Sequence, residues 1–151
     1  MEFKNNFYLR DASEADMDLL YKWVNDPEVR KNAFHTEPIS YTEHISWFQR
    51  ILKDEECVQY IFMEENEAVG QIRFNIEADE AVIDYSIAPK MRGKGYGKIL
   101  LKMGTEKFKE TYPAIKKIIG QVKKENTVSK KCFSDIGFKE VYTQFELCNE
   151  E

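Results

Sequence analysis

The sequence predicts an α+β fold in which a mixed, mostly antiparallel central sheet carries helices on both faces. Three strand-like segments, 58–63, 69–76 and 81–87, follow one another with short polar links, which is the pattern of an antiparallel meander. Segments whose apolar residues recur at helical spacing stand before and after this meander. The predicted order of elements is therefore β-α-α-β-β-β-α-β-α-β.

The chain is predicted to begin with a short strand over 7–11 and a helix from about Ser13 to Asn25. Ser13 and Asp16 have the spacing of a capping box at the start of that helix. Apolar residues then recur at helical spacing until Pro27, which disfavours helix in the residue before it.

Residues 26–40 contain mixed charge and two prolines without a clean period, so we expect a loop with at most one short helical turn. Thr42 is the predicted cap of a second helix that reaches about Lys53. The elements after the meander are a helix over 95–109, a strand over 115–122, a helix over 127–136 between Asn126 and Gly137, and a last strand over 139–147.

The composition of the chain excludes several classes of function. The 151 residues suit one domain, and 27 acidic against 22 basic residues give a net charge of -5, which argues against nucleic acid as a partner. The sequence has neither the apolar run that a membrane helix needs nor the apolar core of a signal peptide, so we expect a cytoplasmic protein that does not bind membranes. Three cysteines without a CxxC pair and two histidines predict neither a disulfide framework nor a metal site. Either a monomer or a homodimer is compatible with these features.

Three of the seven glycines fall within five residues, at Gly93, Gly95 and Gly97, between a predicted strand and a predicted helix. Glycine allows a positive φ and a close approach of the backbone to a ligand, and amides at a helix N-terminus favour a phosphate or diphosphate. Residues 90–98 also hold four basic side chains and no acidic one. The alternative is an exposed turn with a solvated basic face.

Arg92-x-x-Gly95-x-Gly97 resembles the Q/R-x-x-G-x-G/A signature of the GNAT superfamily of N-acetyltransferases. A second block, with Asn126, Ser129, Phe133 and then Gly-Phe, resembles another segment of that family at the same spacing. The resemblance implies acetyl-CoA as the donor, with the loop amides on its diphosphate and the third meander strand beside its pantetheine arm. The implied cofactor-binding residues are Ser86, Ile87, Arg92, Gly93, Lys94, Gly95, Tyr96, Gly97, Lys98, Asn126, Ser129 and Phe133.

One position departs from the family pattern. Many members carry a tyrosine seven residues after the asparagine, as the acid for the leaving thiolate, and this chain has Phe133 there. The acid is then Tyr142, Cys132 or water, or none is needed because a thiolate leaves readily. Asp84, a carboxylate on a central strand, is a candidate base, with a solvent-facing acid as the alternative and Glu77 as a second candidate.

Both tryptophans and both histidines fall within residues 23–47, where the resemblance implies the acceptor site. The pattern W-x-N-D-P-x-V-R over residues 23–30, followed by H-x-x-W-F over 44–48, is similar to that of aminosugar N-acetyltransferases acting on a UDP-linked 4-amino-dideoxy sugar in pseudaminic acid synthesis. This resemblance implies a sugar nucleotide as the amine acceptor. Ribosomal-protein N-terminal or polyamine acetyltransferases are the alternative, and a non-catalytic acyl-CoA-binding module is a third. Candidate acceptor residues, which core packing also explains, are Trp23, Asn25, Arg30, His35, His44 and Trp47, with Arg50 as a further anion contact.

Overall fold

A computed structural model describes residues 6–149 and has a five-stranded sheet at its centre. The strands lie in chain order across the sheet, antiparallel from the first to the fourth, and the fifth is parallel to the fourth. The predicted α+β class with a mixed, mostly antiparallel sheet is confirmed. The strands are β1 Phe7–Asp11, β2 Cys57–Glu64, β3 Glu67–Glu77, β4 Glu80–Ile87 and β5 Lys117–Gly120.

Five α-helices cover the two faces of this sheet. The predicted helical turn in the 26–40 loop is confirmed, because Asp26 caps a short helix by accepting from the amides of Glu28 and Val29. Short 3₁₀ turns occur at Glu14–Asp16 and Pro89–Met91. The helices are α1 Met17–Val24, α2 Pro27–Asn32, α3 Tyr41–Leu52, α4 Tyr96–Thr111 and α5 Thr127–Asp135.

Capping residues set where the helices begin. The capping box of Ser13 and Asp16 is confirmed. The predicted cap at Thr42 is wrong, because Ser40 occupies the cap position and forms a capping box with Glu43. The Ser40 backbone is extended while Thr42 already lies inside α3. Ser40, followed three residues later by Glu43, was the stronger sequence signal for the start of this helix.

Strand alternation divides the apolar residues between two cores. On one face, α4 and α5 cover a large core in which Phe74 and Phe108 stack at 4.2 Å between ring centroids. On the other face, α1 and α3 cover a smaller core built around Leu20, Trp23 and Phe48. The polar residues of β3 and β4 alternate along each strand with residues of the large core, so they lie on the second face.

The predicted strand over 139–147 is wrong. Residues 139–149 have no assigned secondary structure, and no backbone hydrogen bond joins them to the rest of residues 6–149. Val141, Phe145 and Leu147 are 81%, 92% and 97% exposed. Their alternation suits a strand, but a strand forms only where a neighbouring strand supplies hydrogen bonds, and no strand in the described part of the chain pairs with this segment.

Candidate functional site

The sheet opens between β4 and β5. The two strands pair from Glu80 and Lys117 as far as Ile83 and Gly120, and β4 then continues to Ile87 paired with β3 alone. The ring of Phe133 lies at the point of separation, since a Cβ on Gly120 would come within 2.4 Å of it. A larger residue at this position has no room, so the glycine lets α5 approach the end of β5. The backbone of residues 84–87 therefore has a free edge.

The glycine loop joins this free edge to helix α4. Gly93 and Gly95 have φ values of 79° and 82°, in the left-handed region that favours glycine, and Gly95 is the N-cap of α4. No side chain caps the helix, and the amides of residues 93–95 have no acceptor within the described part of the chain. A Cβ at Gly93 or Gly95 would meet nothing within 4 Å. The predicted loop thus presents unpaired N–H groups to open space at a helix N-terminus.

Two of the four basic side chains of the loop region are held by carboxylates. The Arg92 guanidinium contacts Asp26 at 2.5 Å, and the Lys98 ammonium lies 3.6 Å from Asp135. Burial opposes ionisation of Asp26, but the hydrogen bond and charge of Arg92 prevail and hold the pKa of this carboxyl below its usual value. Arg92 therefore ties the glycine loop to the start of α2, while Lys90 and Lys94 have no carboxylate partner among residues 6–149.

The start of α5 lies against β4. Asn126 caps the helix by accepting from the Ser129 amide at 3.2 Å, and the Ser129 hydroxyl is 2.7 Å from the Tyr85 hydroxyl. Burial raises the pKa of Tyr85 and also that of the Cys132 thiol. Neither group is therefore a ready proton donor near neutral pH.

A row of polar side chains crosses the second face of the sheet, which we call the polar row: Gln59, Gln71, Arg73, Asp84 and Ser86. Gln59 donates to Gln71 at 2.8 Å, and Gln71 donates to both the Asp84 carboxylate and the Ser86 hydroxyl at 3.2 Å. The Arg73 guanidinium lies 3.5 Å from the same carboxylate, and the Asp84 side chain is 53% exposed. The carboxylate is thus oriented by two neighbours and still open to a ligand.

Trp47 lies beside the polar row. Its ring stacks under the Arg73 guanidinium with 4.9 Å between the guanidinium carbon and the ring centroid. The buried Nε of Arg73 has no hydrogen-bond partner among residues 6–149. Trp47 and Arg50 also border a shallow depression of about 450 Å³ on α3.

The other residues predicted for the acceptor are mostly buried or hydrogen-bonded to the protein's own backbone. Trp23 and His44 are buried, and the His44 Nε2 donates to the Met17 carbonyl. Asn25 exchanges two hydrogen bonds with the backbone of Ile39. Arg30 donates to the carbonyls of Val24, His35 and Glu37, and the His35 side chain is exposed.

Sequence reasoning missed Gln59, Gln71 and Arg73. Their signal was the alternation of β2 and β3, which places them on the face of the sheet that carries Asp84. The structure does not bring Tyr142 into the site, because this side chain is 66% exposed in the C-terminal segment. The role predicted for Tyr142 stays a prediction.

Within residues 6–149, no group of three or more potential metal-ligating side chains is arranged to hold an ion. Across the same range, none of the helices combines the length and apolar character that crossing a membrane requires. Cys57, Cys132 and Cys148 are free thiols.

Comparison with known proteins gives one family. The model of the acetyltransferase (GNAT) domain matches residues 6–139. No curated protein matches the sequence.

Solved structures match over most of the chain. A domain from Methanocaldococcus jannaschii DSM 2661 has 24% identity and a TM-score of 0.81, with 95% of this chain and 94% of that chain covered. Spermidine N-acetyltransferase from Vibrio cholerae, in complex with CoA and spermine, has 20% identity and a TM-score of 0.82, with 90% and 82% covered. AAC(6')-Ib in complex with ribostamycin and coenzyme A has 23% identity and a TM-score of 0.77, with 88% and 83% covered. At these identities the likeness is one of fold.

Proposed function

Because the chain belongs to the GNAT acetyltransferase family, we propose that it moves an acetyl group from acetyl-CoA to a primary amine of a nucleotide-linked aminosugar. The observation that carries the proposal is the free edge of β4 over residues 84–87, which leads from the exposed Asp84 to the unpaired amides of the glycine loop. This edge offers a strand-like track with a carboxylate at one end and an anion-binding helix terminus at the other.

The residues present fit acetyl-CoA. Three features suit a diphosphate: the N–H groups of residues 93–95, the N-terminus of α4, and the ammonium groups of Lys90 and Lys94. Within residues 6–149 these N–H groups have no acceptor and these two lysines have no carboxylate partner. On the edge away from β3, the free backbone groups of residues 84–87 suit the amide groups of a pantetheine arm, which can pair with them as a strand would. The sequence predicts Arg92 as a cofactor-binding residue, and because its side chain pairs with Asp26 we assign it the part of holding the loop in position.

Acetyl-CoA supplies an activated acetyl thioester when bound. The free N–H groups of β4 then donate to the thioester carbonyl and favour attack by a neutral amine. Asp84 accepts a hydrogen bond from that amine and takes its proton, while Gln71 and Arg73 keep the carboxylate in place. Burial raises the pKa values of Tyr85 and Cys132 and makes both groups weaker acids, so we expect the sulfur to leave as a thiolate without a proton from either side chain.

The chemistry of the acceptor face favours a sugar. The polar row offers amide, hydroxyl and guanidinium groups beside an aromatic ring, a combination that hydrogen-bonds and stacks on a sugar. Arg50 at the border of the Trp47 depression is the cation available for the nucleotide diphosphate, because Arg30 and His44 have their hydrogen-bonding groups on backbone carbonyls. A polyamine calls for several carboxylates, whereas Arg73 stands against Asp84 here.

The test measures CoA release with three acceptors: a UDP-linked 4-amino-dideoxy sugar, spermidine and a peptide with a free N-terminus. We expect turnover with the sugar. Trp47→Leu should raise the KM for the sugar. Arg50→Gln should weaken binding of the nucleotide-linked sugar more than binding of the free aminosugar. Lys53→Gln, a charge loss on the same helix end, is the control. Turnover with spermidine or the peptide alone rejects the sugar, and tight binding of acetyl-CoA without turnover rejects catalysis.

A further inference from the structure

The two side-chain amides of the polar row point in the same direction across the sheet. Gln59 on β2 and Gln71 on β3 are both buried. The Gln59 Nε2 donates to the Gln71 Oε1 at 2.8 Å, and the Gln71 Nε2 donates in turn to Asp84 and Ser86 on β4. The row is therefore a chain of hydrogen bonds that runs from β2 to β4.

Backbone carbonyls set the direction of this chain at β2. The Gln59 Nε2 lies 3.3 Å from the Tyr60 carbonyl oxygen and 3.2 Å from the Ile72 carbonyl oxygen. If the amide were turned over, its own oxygen would stand against both carbonyl oxygens, which accept hydrogen bonds and donate none. Gln59 is therefore a donor toward Gln71.

The Asp84 carboxylate requires the same direction at β4. Turning over the Gln71 amide would place its oxygen against an ionised carboxylate and would leave the Gln59 N–H facing an NH₂ group. Each mismatch leaves a buried polar group without a partner, which is costly. The two ends of the chain thus agree on one orientation of Gln71.

This orientation makes the Ser86 hydroxyl a donor to any ligand. An amide NH₂ group has two protons and does not accept, so Gln71 uses one proton on Asp84 and the other on Ser86. The Ser86 hydroxyl cannot return its proton to Gln71, and within residues 6–149 no other group accepts it. One face of β4 therefore offers an acceptor at Asp84 and, two residues further on, a donor at Ser86.

We propose that Gln59 is a positioning residue, which acts through Gln71 to hold Asp84 as the acceptor for the amine and Ser86 as a donor to an oxygen of the same substrate. The inference rests on the proposed acetyl transfer and specifies the substrate: an amine and an oxygen on one small molecule. Residues i and i+2 of a strand stand about 7 Å apart, a span that one sugar ring with its substituents covers. A protonated polyamine has no oxygen to take the Ser86 proton.

A double-mutant cycle tests whether Gln59 acts through Gln71. Gln59→Met and Gln71→Met each replace an amide by an apolar side chain of similar length. With the UDP-linked aminosugar, we expect each change to lower kcat about tenfold and to alter the KM for acetyl-CoA less than about threefold. The double variant should be no slower than Gln71→Met alone, whereas effects that multiply overturn the proposal.

Thr105→Val is the matched control for loss of a buried polar group. Thr105 is 9% exposed against 8% for Gln59, and its hydroxyl donates only to carbonyls of its own helix. This variant should keep the kcat of the wild type. A fall in kcat equal to that of Gln59→Met would show a general effect of core polarity and would overturn the proposal.

Ser86→Ala tests the donor at the other end of the chain. We expect the KM for the aminosugar to rise about tenfold, with less than about threefold change in the KM for acetyl-CoA. An unchanged KM for the sugar, or a rise confined to acetyl-CoA, overturns the assignment of Ser86 to the substrate.

Hydrogen exchange of the Gln71 side chain tests the orientation without any turnover. In the wild type both side-chain N–H protons are bonded, so their exchange, followed by NMR, should be slow. Gln59→Met releases the Gln71 oxygen, so exchange should rise about tenfold or more, while Thr105→Val leaves it unchanged. Unchanged exchange in folded Gln59→Met overturns the proposal whatever the substrate is. Faster exchange in a protein that acetylates no amine rejects the proposed function instead, and with it the catalytic role of the chain.

Discussion

The first residue of the loop-to-helix junction, Gly95, allows the diphosphate site to be tested without touching the core. Its φ is 82°, and a Cβ there would meet nothing within 4 Å. Gly95→Ala therefore carries only the cost of a left-handed conformation, about 1–2 kcal/mol. For a chain of this size each kcal/mol lowers Tm by roughly 2–4 °C, so Tm should fall by about 2–8 °C.

Gly95→Asp adds a negative charge where we expect the diphosphate. At about 5 Å and an effective dielectric constant near 20, one phosphate charge and one carboxylate repel by about 3 kcal/mol. That energy corresponds to a Kd raised about 100-fold. Gly95→Ala lacks the charge, so its Kd for CoA should change by less than about tenfold.

Calorimetric titration with CoA and thermal melting of the same samples separate binding from folding. Gly137 is the control position, because its φ is 105° and its Cβ space is also empty. Gly137→Asp should lower Tm to a similar extent and leave CoA binding unchanged. A folded Gly95→Asp protein that binds CoA as the wild type does would refute the assignment of the loop.

Three further outcomes are expected. Asp84→Asn should lower kcat by about 10²-fold or more with little change in the KM for acetyl-CoA, and an unchanged kcat would remove its role as the base. Phe133→Tyr should lower the free energy of unfolding by about 1–3 kcal/mol without raising kcat, because the ring tip already abuts Gly120; a gain in kcat would show that a missing acid limits turnover. Burial lowers the pKa of His44 from 6.5, so the unfolded state takes up the proton first as pH falls. Stability should therefore drop as pH falls below about 6.5 and level off below the lowered pKa, in urea unfolding from pH 7.5 to 5. His44→Gln, which can still donate to the Met17 carbonyl, should lose that slope, and a wild type without it would contradict the neutral histidine.

The position of the glycine loop was predictable because its determinants are local. Gly93 and Gly95 adopt left-handed conformations that few other residues tolerate, and a helix follows directly, so the sequence alone indicates unpaired amides at a helix start. The caps at Ser13 and Asn126 were predictable for the same reason, since each bond spans three residues or fewer.

The contacts of the acceptor face were not predictable, because they join strands that are distant in sequence. The alternation of β3 and β4 gives the faces of Gln71, Arg73 and Asp84, but only the register of the sheet decides that they touch. Likewise, the sequence near Trp47 does not indicate that Arg73 lies over its ring.

Local sequence determined where the chain turns, where its helices are capped and where the amides of the glycine loop are left unpaired. Each of these features depends on neighbours a few residues away. Tertiary structure alone decided that His44 is buried and that Arg30 is bound to the carbonyls of its own loop. It also decided that the apolar residues of the segment 139–149 have no strand beside them within residues 6–149. The alternation of apolar residues indicates which face of a strand is to be buried. Which strand supplies its hydrogen bonds depends on the assembled sheet.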